Sequence, residues 1–160
     1  MTERERTCCF TGHRELPPEA LPRLREKLRA AVRKAAAQGY TCFISGGALG
    51  FDLLAAETVL DEKKQQPALR LLMALPCANQ ADHWPAAERK RYQEILNACD
   101  EQMCLSPVYT PWCMLARDRW MVDRSALCIC FMLRMEGGTG YTIKYAAQQE
   151  LEIVNLAMEK

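Results

Sequence analysis

Histidine and net charge are both scarce in this chain of 160 residues. Only two histidines are present, and 21 Lys and Arg residues are balanced by 20 Asp and Glu residues, which leaves a net charge of +1. With so few histidines and no paired Cys-x-x-Cys motifs, we expect no metal site. A charge this close to zero creates no strong field, so we expect neither nucleic acid nor a membrane as a partner.

Long apolar segments are absent too. No apolar run approaches the roughly 18 residues that a membrane span needs. The polar N-terminal segment, residues 1–6, is unlike a signal peptide, so we expect a cytoplasmic protein. This compartment also bears on the unusually high count of nine cysteines. Thiols stay reduced in the cytoplasm, where cysteines on strands pack as small apolar residues.

The cysteines that we assign to strands, and hence to the core, are Cys8, Cys9, Cys42, Cys104, Cys128 and Cys130. The role of Cys77 is left undecided between core packing and ligand contact, because this residue follows a strand at the end where a ligand is expected.

Short β-prone runs alternate with segments of helical periodicity along the chain. Strands are predicted at 7–11, 40–45, 69–75, 101–105, 126–131 and 151–155, and helices follow Pro17, Ala48, Pro85, Pro111 and the glycine turn at 137–140. This alternation predicts an α/β fold: a single Rossmann-like domain over residues 1–160, with a mostly parallel sheet of about six strands and helices on both faces. In such sheets, ligands bind at the carboxyl ends of the strands.

Two glycine-rich turns lie at this end of the predicted sheet, in segments 45–52 and 136–142. Glycine lets the backbone approach a ligand, and the helix that follows offers unpaired N–H groups to a phosphate. Neither turn has the Walker A pattern or the G-x-G-x-x-G spacing of dinucleotide dehydrogenases. The two turns together therefore predict a two-sided cradle for an anion.

The residues that we expect to contact a phosphate-bearing ligand are Gly12, Arg14, Ser45, Gly46, Gly47, Gly50, Asp52, Gly137, Gly138, Thr139 and Thr142. For some of these residues a purely structural role is the alternative to ligand contact. Arg14 could instead pair with Glu15 or Glu19, and the two threonines could cap a helix. Asp52 could either complement the dipole of its helix or hold a ribose hydroxyl or a water.

Four motifs in order resemble the YpsA-like family of the SLOG superfamily, which groups the DNA-processing protein DprA with the LOG phosphoribohydrolases. They occupy residues 9–14, 46–57, 117–123 and 137–139. The resemblance implies a Rossmann-like fold whose glycine loops bind a nucleotide or an ADP-ribose-like ligand. It also implies a homo-oligomer, and it adds Arg117 to the expected site, with an ion pair to Asp118 or Asp123 as the structural alternative.

A comparison with the LOG motifs bears on catalysis. Their MxxRKxxM motif resembles residues 114–121, with Asp118 in place of the lysine, and the last position of their PGGxGTxxE motif is Lys144 here. A lysine cannot do the work of a carboxylate in glycosidic cleavage. The resemblance therefore favours a sensor or regulator that binds without turnover.

Two other functions remain as alternatives. One is a LOG-like hydrolase that cleaves an N-glycosidic bond in a nucleoside monophosphate or ADP-ribose-like ligand. Its catalytic candidates are Asp52, Arg117 and His13, although a histidine in such a loop is more often a framework residue. The other is a DprA-like association with DNA, for which the small net charge gives little support.

Overall fold

The computed structural model describes residues 1–158, so the last two residues of the predicted domain lie outside the described part. Strands and helices alternate along it. The strands are β1 (Thr7–Gly12), β2 (Cys42–Ser45), β3 (Arg70–Leu75), β4 (Glu101–Cys104), β5 (Leu127–Phe131) and β6 (Glu152–Asn155). The helices are α1 (Leu21–Ala37), α2 (Phe51–Lys63), α3 (Ala86–Ala98), α4 (Cys113–Asp123) and α5 (Gly138–Gln148).

All six strands form one sheet in the order β4-β3-β2-β1-β5-β6, and every neighbouring pair is parallel. The predicted Rossmann-like α/β fold is confirmed. The chain starts in the middle of the sheet and builds outward on one side before it crosses to the other. As a result β1 and β5 are neighbours, with Gly12 beside Phe131. Such a switch point opens a crevice at the carboxyl ends of the strands.

The two faces of the sheet bury different side chains, as the two-residue period of a strand requires. Cys8 and Phe10 of β1 pack with residues from α1, α2 and α3, whereas Cys9 packs with residues from α4 and α5. Helices therefore cover both faces. In α1, Leu24, Leu28 and Val32 are fully buried at helical spacing, so this helix presents its charged residues to solvent.

One helix begins later than the periodicity predicts. The pattern predicts that α2 starts at Ala48, but the helix begins at Phe51. Gly50 has φ +80°, which lies outside the helical region, so residues 48–50 form a loop instead. Asp52 nevertheless lies in the first turn of α2, as expected.

The cysteines largely follow the prediction. Cys8, Cys9, Cys128 and Cys130 are buried and Cys42 is partly buried, but Cys104 is exposed because β4 is an edge strand. All nine thiols are free. Within residues 1–158, no helix has both the length and the apolar character needed to cross a membrane.

Candidate functional site

A cavity of about 330 Å³ opens at the carboxyl ends of β1 and β5, where the crevice is expected. This volume is at the small end of ligand sites, which span about 300–1,000 Å³. The loops after β1 and β5 form its middle and one side. The first residues of α2 and α5, together with α4, complete the lining.

The loop after β1 is fixed by His13, whose side chain is only 6% exposed. Its ring Nε2 accepts a hydrogen bond of 2.8 Å from the backbone N–H of Leu133, and its own backbone N–H donates to the carbonyl of Phe131. Burial, and after it the charge of Arg134, lowers the pKa of His13. His13 therefore joins the loops after β1 and β5 as a neutral ring, a framework role.

The glycine loop before α2 packs against this first loop. The N–H of Phe51 donates to the carbonyl of His13 at 3.1 Å. A Cβ on Gly50 would collide with the carbonyls of His13 and Arg14, and a Cβ on Gly12 would collide with the ring of Phe51. The protein itself occupies the space that these glycines leave free.

Ser45, Gly46 and Gly47 also make internal contacts. The Ser45 hydroxyl donates to the carbonyl of Asp52 at 2.8 Å and accepts a bond from the N–H of Gly47. A Cβ on Gly46 would collide with the guanidinium of Arg117. The structure does not bring these three residues to the cavity lining.

Arg117 is 4% exposed and is held almost entirely by the protein. Its Nε donates to Asp118 Oδ1 at 2.6 Å, and Nη1 donates to the carbonyls of Gly46 and Ala74. The other oxygen of Asp118 lies 3.0 Å from the Thr142 hydroxyl, which is also 2.9 Å from the Gly138 carbonyl. Asp118, and not Asp123, is therefore the ion-pair partner of Arg117.

Asp52 is the buried carboxylate of the cavity, with 5% of its surface exposed. Its Oδ2 accepts one long hydrogen bond, 3.4 Å, from the N–H of Ala48. Burial raises the pKa of Asp52 to about 7, and the nearby charge of Arg117 only partly opposes this effect. A carboxyl group with this pKa exchanges its proton near neutral pH, which suits general acid or base chemistry.

The turn after β5 supplies backbone N–H groups. No side chain caps the N-terminus of α5, and the N–H of Tyr141 makes the first bond within the helix, to the Gly137 carbonyl. Gly137 has φ +90°. Gly138 has no such backbone requirement, and a Cβ on it would meet nothing within 4 Å. The cavity is therefore open beside the backbone of Gly138, at a helix N-terminus of the kind that binds phosphate.

Two exposed arginines lie on the lining beside this turn. Arg14 follows β1 and Arg134 follows β5, and neither has an ion pair among residues 1–158. Arg14 contacts the sulfur of Met114 at 4.0 Å instead of pairing with Glu15 or Glu19. Their positive charges are thus available to an anion in the cavity.

The lining contains His13 and these residues of the predicted phosphate site: Gly12, Arg14, Asp52, Arg117, Gly137, Gly138 and Thr139. It does not contain these: Ser45, Gly46, Gly47, Gly50 and Thr142. Lys144 is exposed and away from the lining, and so is Cys77, which is buried. Several lining residues were not predicted, among them Thr11, Glu15, Asp118, Glu136 and the third arginine of the lining, Arg134. Its position just after β5 is the same signal that selected Arg14 after β1.

The family model of the YspA SLOG family matches residues 11–159, almost the whole chain. The chain belongs to this family. The UPF0398 protein OB1025 of Oceanobacillus iheyensis is similar to it, with 27% identity over 114 residues, 68% of this chain and 60% of that protein. The chain thus spans about three fifths of the length of the first curated relatives that it matches.

Two solved structures are similar to this member of the YspA SLOG family. DNA processing protein A from Helicobacter pylori, whose single-stranded DNA binding mode has been described, matches with a TM-score of 0.61 and 23% identity over 92% of this chain and 63% of that one. DNA processing protein A from Streptococcus pneumoniae matches with a TM-score of 0.65 and 17% identity, over 93% of this chain and 49% of that one. These likenesses show the fold.

Proposed function

We propose that this protein binds a nucleotide or nucleotide-derived ligand through its phosphate, in the cavity between β1 and β5, and acts as a sensor or regulator. The observation that carries the proposal is the open space at Gly138. Every other glycine of the two turns has an internal reason, either a neighbour that a side chain would strike or a positive φ. Gly138 has neither, and a ligand close to the backbone accounts for it.

The charges around Gly138 support the same interpretation. The uncapped N-terminus of α5 carries a partial positive charge, and Arg14 and Arg134 lie on the lining beside it without ion pairs among residues 1–158. Helix N–H groups and arginine forks are the donors that proteins use for phosphate. A phosphate there would be bound from the loops after β1 and β5.

The hydrogen bonds that hold the Arg117 side chain favour binding without turnover. In the LOG enzymes that the sequence resembles, the corresponding arginine carries the hydrolysis. Here its guanidinium is tied to Asp118 and to two backbone carbonyls, Gly46 and Ala74. Because Asp118 neutralises the charge of Arg117, this arginine is better suited to hold the cavity wall in place than to stabilise a transition state.

Hydrolysis of an N-glycosidic bond is the second candidate, and Asp52 is the observation that favours it. Its carboxyl group lines the cavity, and burial raises its pKa to about 7. Such a group can serve as a general acid or base near neutral pH. The ligand class would be the same, so the two candidates differ only in turnover.

A thermal-shift screen tests the proposal. The panel contains nucleoside monophosphates, ADP-ribose, NAD and a single-stranded oligonucleotide. A ligand at 100 times its Kd stabilises the folded state by about 2.7 kcal/mol. We expect at least one nucleotide to raise the melting temperature and to be recovered intact by chromatography. Release of a free base would favour the hydrolase, and a response to the oligonucleotide alone, lost at high salt, would favour DNA.

The proposal also includes a cytoplasmic location and a homo-oligomeric assembly. Nine free thiols suit the reducing cytoplasm, where we place the protein. We also propose a homo-oligomer, for which the exposed apolar residues Val108, Tyr109 and Trp112, between β4 and α4, offer contact area. Size-exclusion chromatography with light scattering measures the oligomeric state directly.

A further inference from the structure

Asp52 has a place in the cavity that phosphate binding does not explain. β2 and β5 lie on opposite sides of β1, so Asp52 at the start of α2 and Gly138 at the start of α5 line the cavity from two sides. A phosphate at Gly138 would be attracted by Arg14 and Arg134, whereas a carboxylate repels it. The part of the ligand that faces Asp52 must therefore be a hydrogen-bond donor rather than an anion.

The protein does not itself satisfy this carboxylate. Within residues 1–158, the one hydrogen bond that Asp52 accepts on its side chain is the 3.4 Å bond from the N–H of Ala48. The guanidinium of Arg117, whose charge most opposes the raised pKa of Asp52, directs its Nε to Asp118 and its Nη1 to carbonyl oxygens. A carboxylate that is 95% removed from water and so poorly paired is costly to bury, and a donor supplied by a ligand relieves the cost.

We propose that Asp52 accepts a hydrogen bond from a sugar hydroxyl of the ligand, and so makes the cavity selective for ribonucleotides over nucleotides whose sugar lacks hydroxyl groups. This inference rests on the proposed function, since it assumes the phosphate at Gly138. Phosphate and sugar hydroxyls are joined by a short linkage in a ribonucleotide. This matches a small cavity with phosphate donors on one side and a buried, poorly paired carboxylate on the other. A metal bridge is a weaker alternative, because no group of three or more metal-binding side chains exists among the described residues.

The pH dependence of binding gives a second signature of the same contact. The charged groups that act on Asp52 are Arg117 and Asp118 of α4 and Arg14 of the loop after β1, and burial outweighs them to raise the pKa to about 7. An ionised carboxylate is the stronger acceptor for a hydroxyl. The preference for a hydroxylated sugar should therefore increase as the pH rises from 6 to 8, through the pKa of Asp52.

The test compares the 5′-monophosphates of the four common ribonucleosides with their 2′,3′-dideoxy counterparts by isothermal titration calorimetry. For the base that binds best, we expect the dideoxy compound to bind about 10- to 100-fold more weakly, the range for a hydrogen bond to a charged group. The single 2′-deoxy and 3′-deoxy compounds then show which hydroxyl is used. The second ionisation of the phosphate, with a pKa near 6, affects both ligands equally and cancels in the ratio.

Variants separate selectivity from folding. Asp52→Ala should bring the ratio between ribo and dideoxy ligands close to one, and Asp52→Asn should make the ratio independent of pH. Asp61→Asn is the matched control, because Asp61 lies on the same helix, is exposed and is remote from the cavity. It should leave both the ratio and its pH dependence unchanged. A merely structural role for Asp52 would change stability without changing the ratio.

Each outcome has a distinct meaning. Equal binding of the ribo and dideoxy compounds to the native protein would overturn the inference and leave the phosphate site intact. If ADP-ribose or NAD binds and no monophosphate does, an affinity for that ligand that is unchanged by Asp52→Ala would overturn the inference. No binding of any nucleotide would overturn the proposed function itself.

Discussion

The carbonyl oxygen of Gly46 accepts a hydrogen bond from Nη1 of Arg117, and the guanidinium covers the space where a side chain at position 46 would lie. Glycine is thus required at position 46 by a side chain that comes from α4, 71 residues later in the chain. This contact ties the loop after β2 to α4 behind the cavity. It also accounts for the first glycine of the turn without a ligand.

Gly46→Ala should destabilise the fold by about 1–3 kcal/mol, since the added methyl group must displace the buried guanidinium. Chemical denaturation of a double-mutant cycle checks the cause. In the Arg117→Ala background the same substitution should cost much less, because the obstructing group is gone. Equal costs in the two backgrounds would show that Arg117 is not the reason for this glycine.

Two of the three glycines at the start of α5 should respond in opposite ways. Gly138→Ala places a methyl group in open space and replaces glycine in a helix, so we expect stability to be unchanged or raised by up to about 1 kcal/mol. Nucleotide binding should weaken, because the methyl group occupies the phosphate position. Gly140→Ala should destabilise the fold, because its Cβ would strike the carbonyl of Met135. Thermal melts with and without ligand distinguish the two effects.

The buried carboxyl group of Asp52 should make stability fall as the pH rises. Its pKa of about 7 in the folded state exceeds the ordinary value of 3.8, so the unfolded chain releases this proton first. The destabilisation therefore begins above pH 4 and is complete above pH 7, where it reaches at most about 4 kcal/mol at 1.36 kcal/mol per pH unit. Asp52→Asn should remove it. Urea denaturation of both proteins at pH 5 and pH 8 would contradict this if their difference in unfolding free energy stayed constant.

His13 should affect the pH dependence of stability in the opposite direction to Asp52, so that stability falls as the pH decreases. Burial and Arg134 lower its pKa below 6.5, so the unfolded chain takes up a proton first as the pH falls. The contribution of His13 to stability is present above pH 6.5 and is lost as the pH falls through the lowered value. Only two histidines are present, so ring 15N chemical shifts can be assigned directly. We expect the neutral ring with its proton on Nδ1, since Nε2 accepts from Leu133.

Removing the charge of Arg14 or Arg134 should weaken nucleotide binding without weakening the fold. Both side chains are exposed and neither has an ion pair within residues 1–158, so Gln at either position leaves no buried group unpaired. We expect about a tenfold loss of affinity for each, the effect of one charge-assisted hydrogen bond. Arg89→Gln, an exposed arginine on α3 and outside the cavity, is the matched control.

The fold follows closely from local pattern. Runs such as Leu127–Phe131 are buried on both faces, and the spacing of Leu24, Leu28 and Val32 marks one face of α1. The start of α2 could not be predicted in this way. Apolar periodicity continues through residues 48–50, whereas the helix begins only after Gly50. This glycine has a positive φ and lies so close to the carbonyls of His13 and Arg14 that a Cβ would collide with them.

The site was only partly predictable. Sequence identifies glycines and strand ends but not what fills the space beside a glycine, so Gly46 and Gly138 look alike until Arg117 is seen against one of them. For the same reason Ser45 and Thr142 have hydroxyls suited to a phosphate but use them within the protein. Lys144 follows the LOG motif in sequence, yet its exposed side chain does not line the cavity.

The most direct test of the phosphate site is a nucleotide titration of 15N-labelled protein, followed through the backbone amide resonances. We predict that the largest shifts occur at Gly138 and Thr139, with smaller ones at Arg14 and Asp52, and that Gly138→Ala weakens the apparent affinity. No shift at saturating nucleotide, or shifts confined to residues outside the cavity, would contradict it.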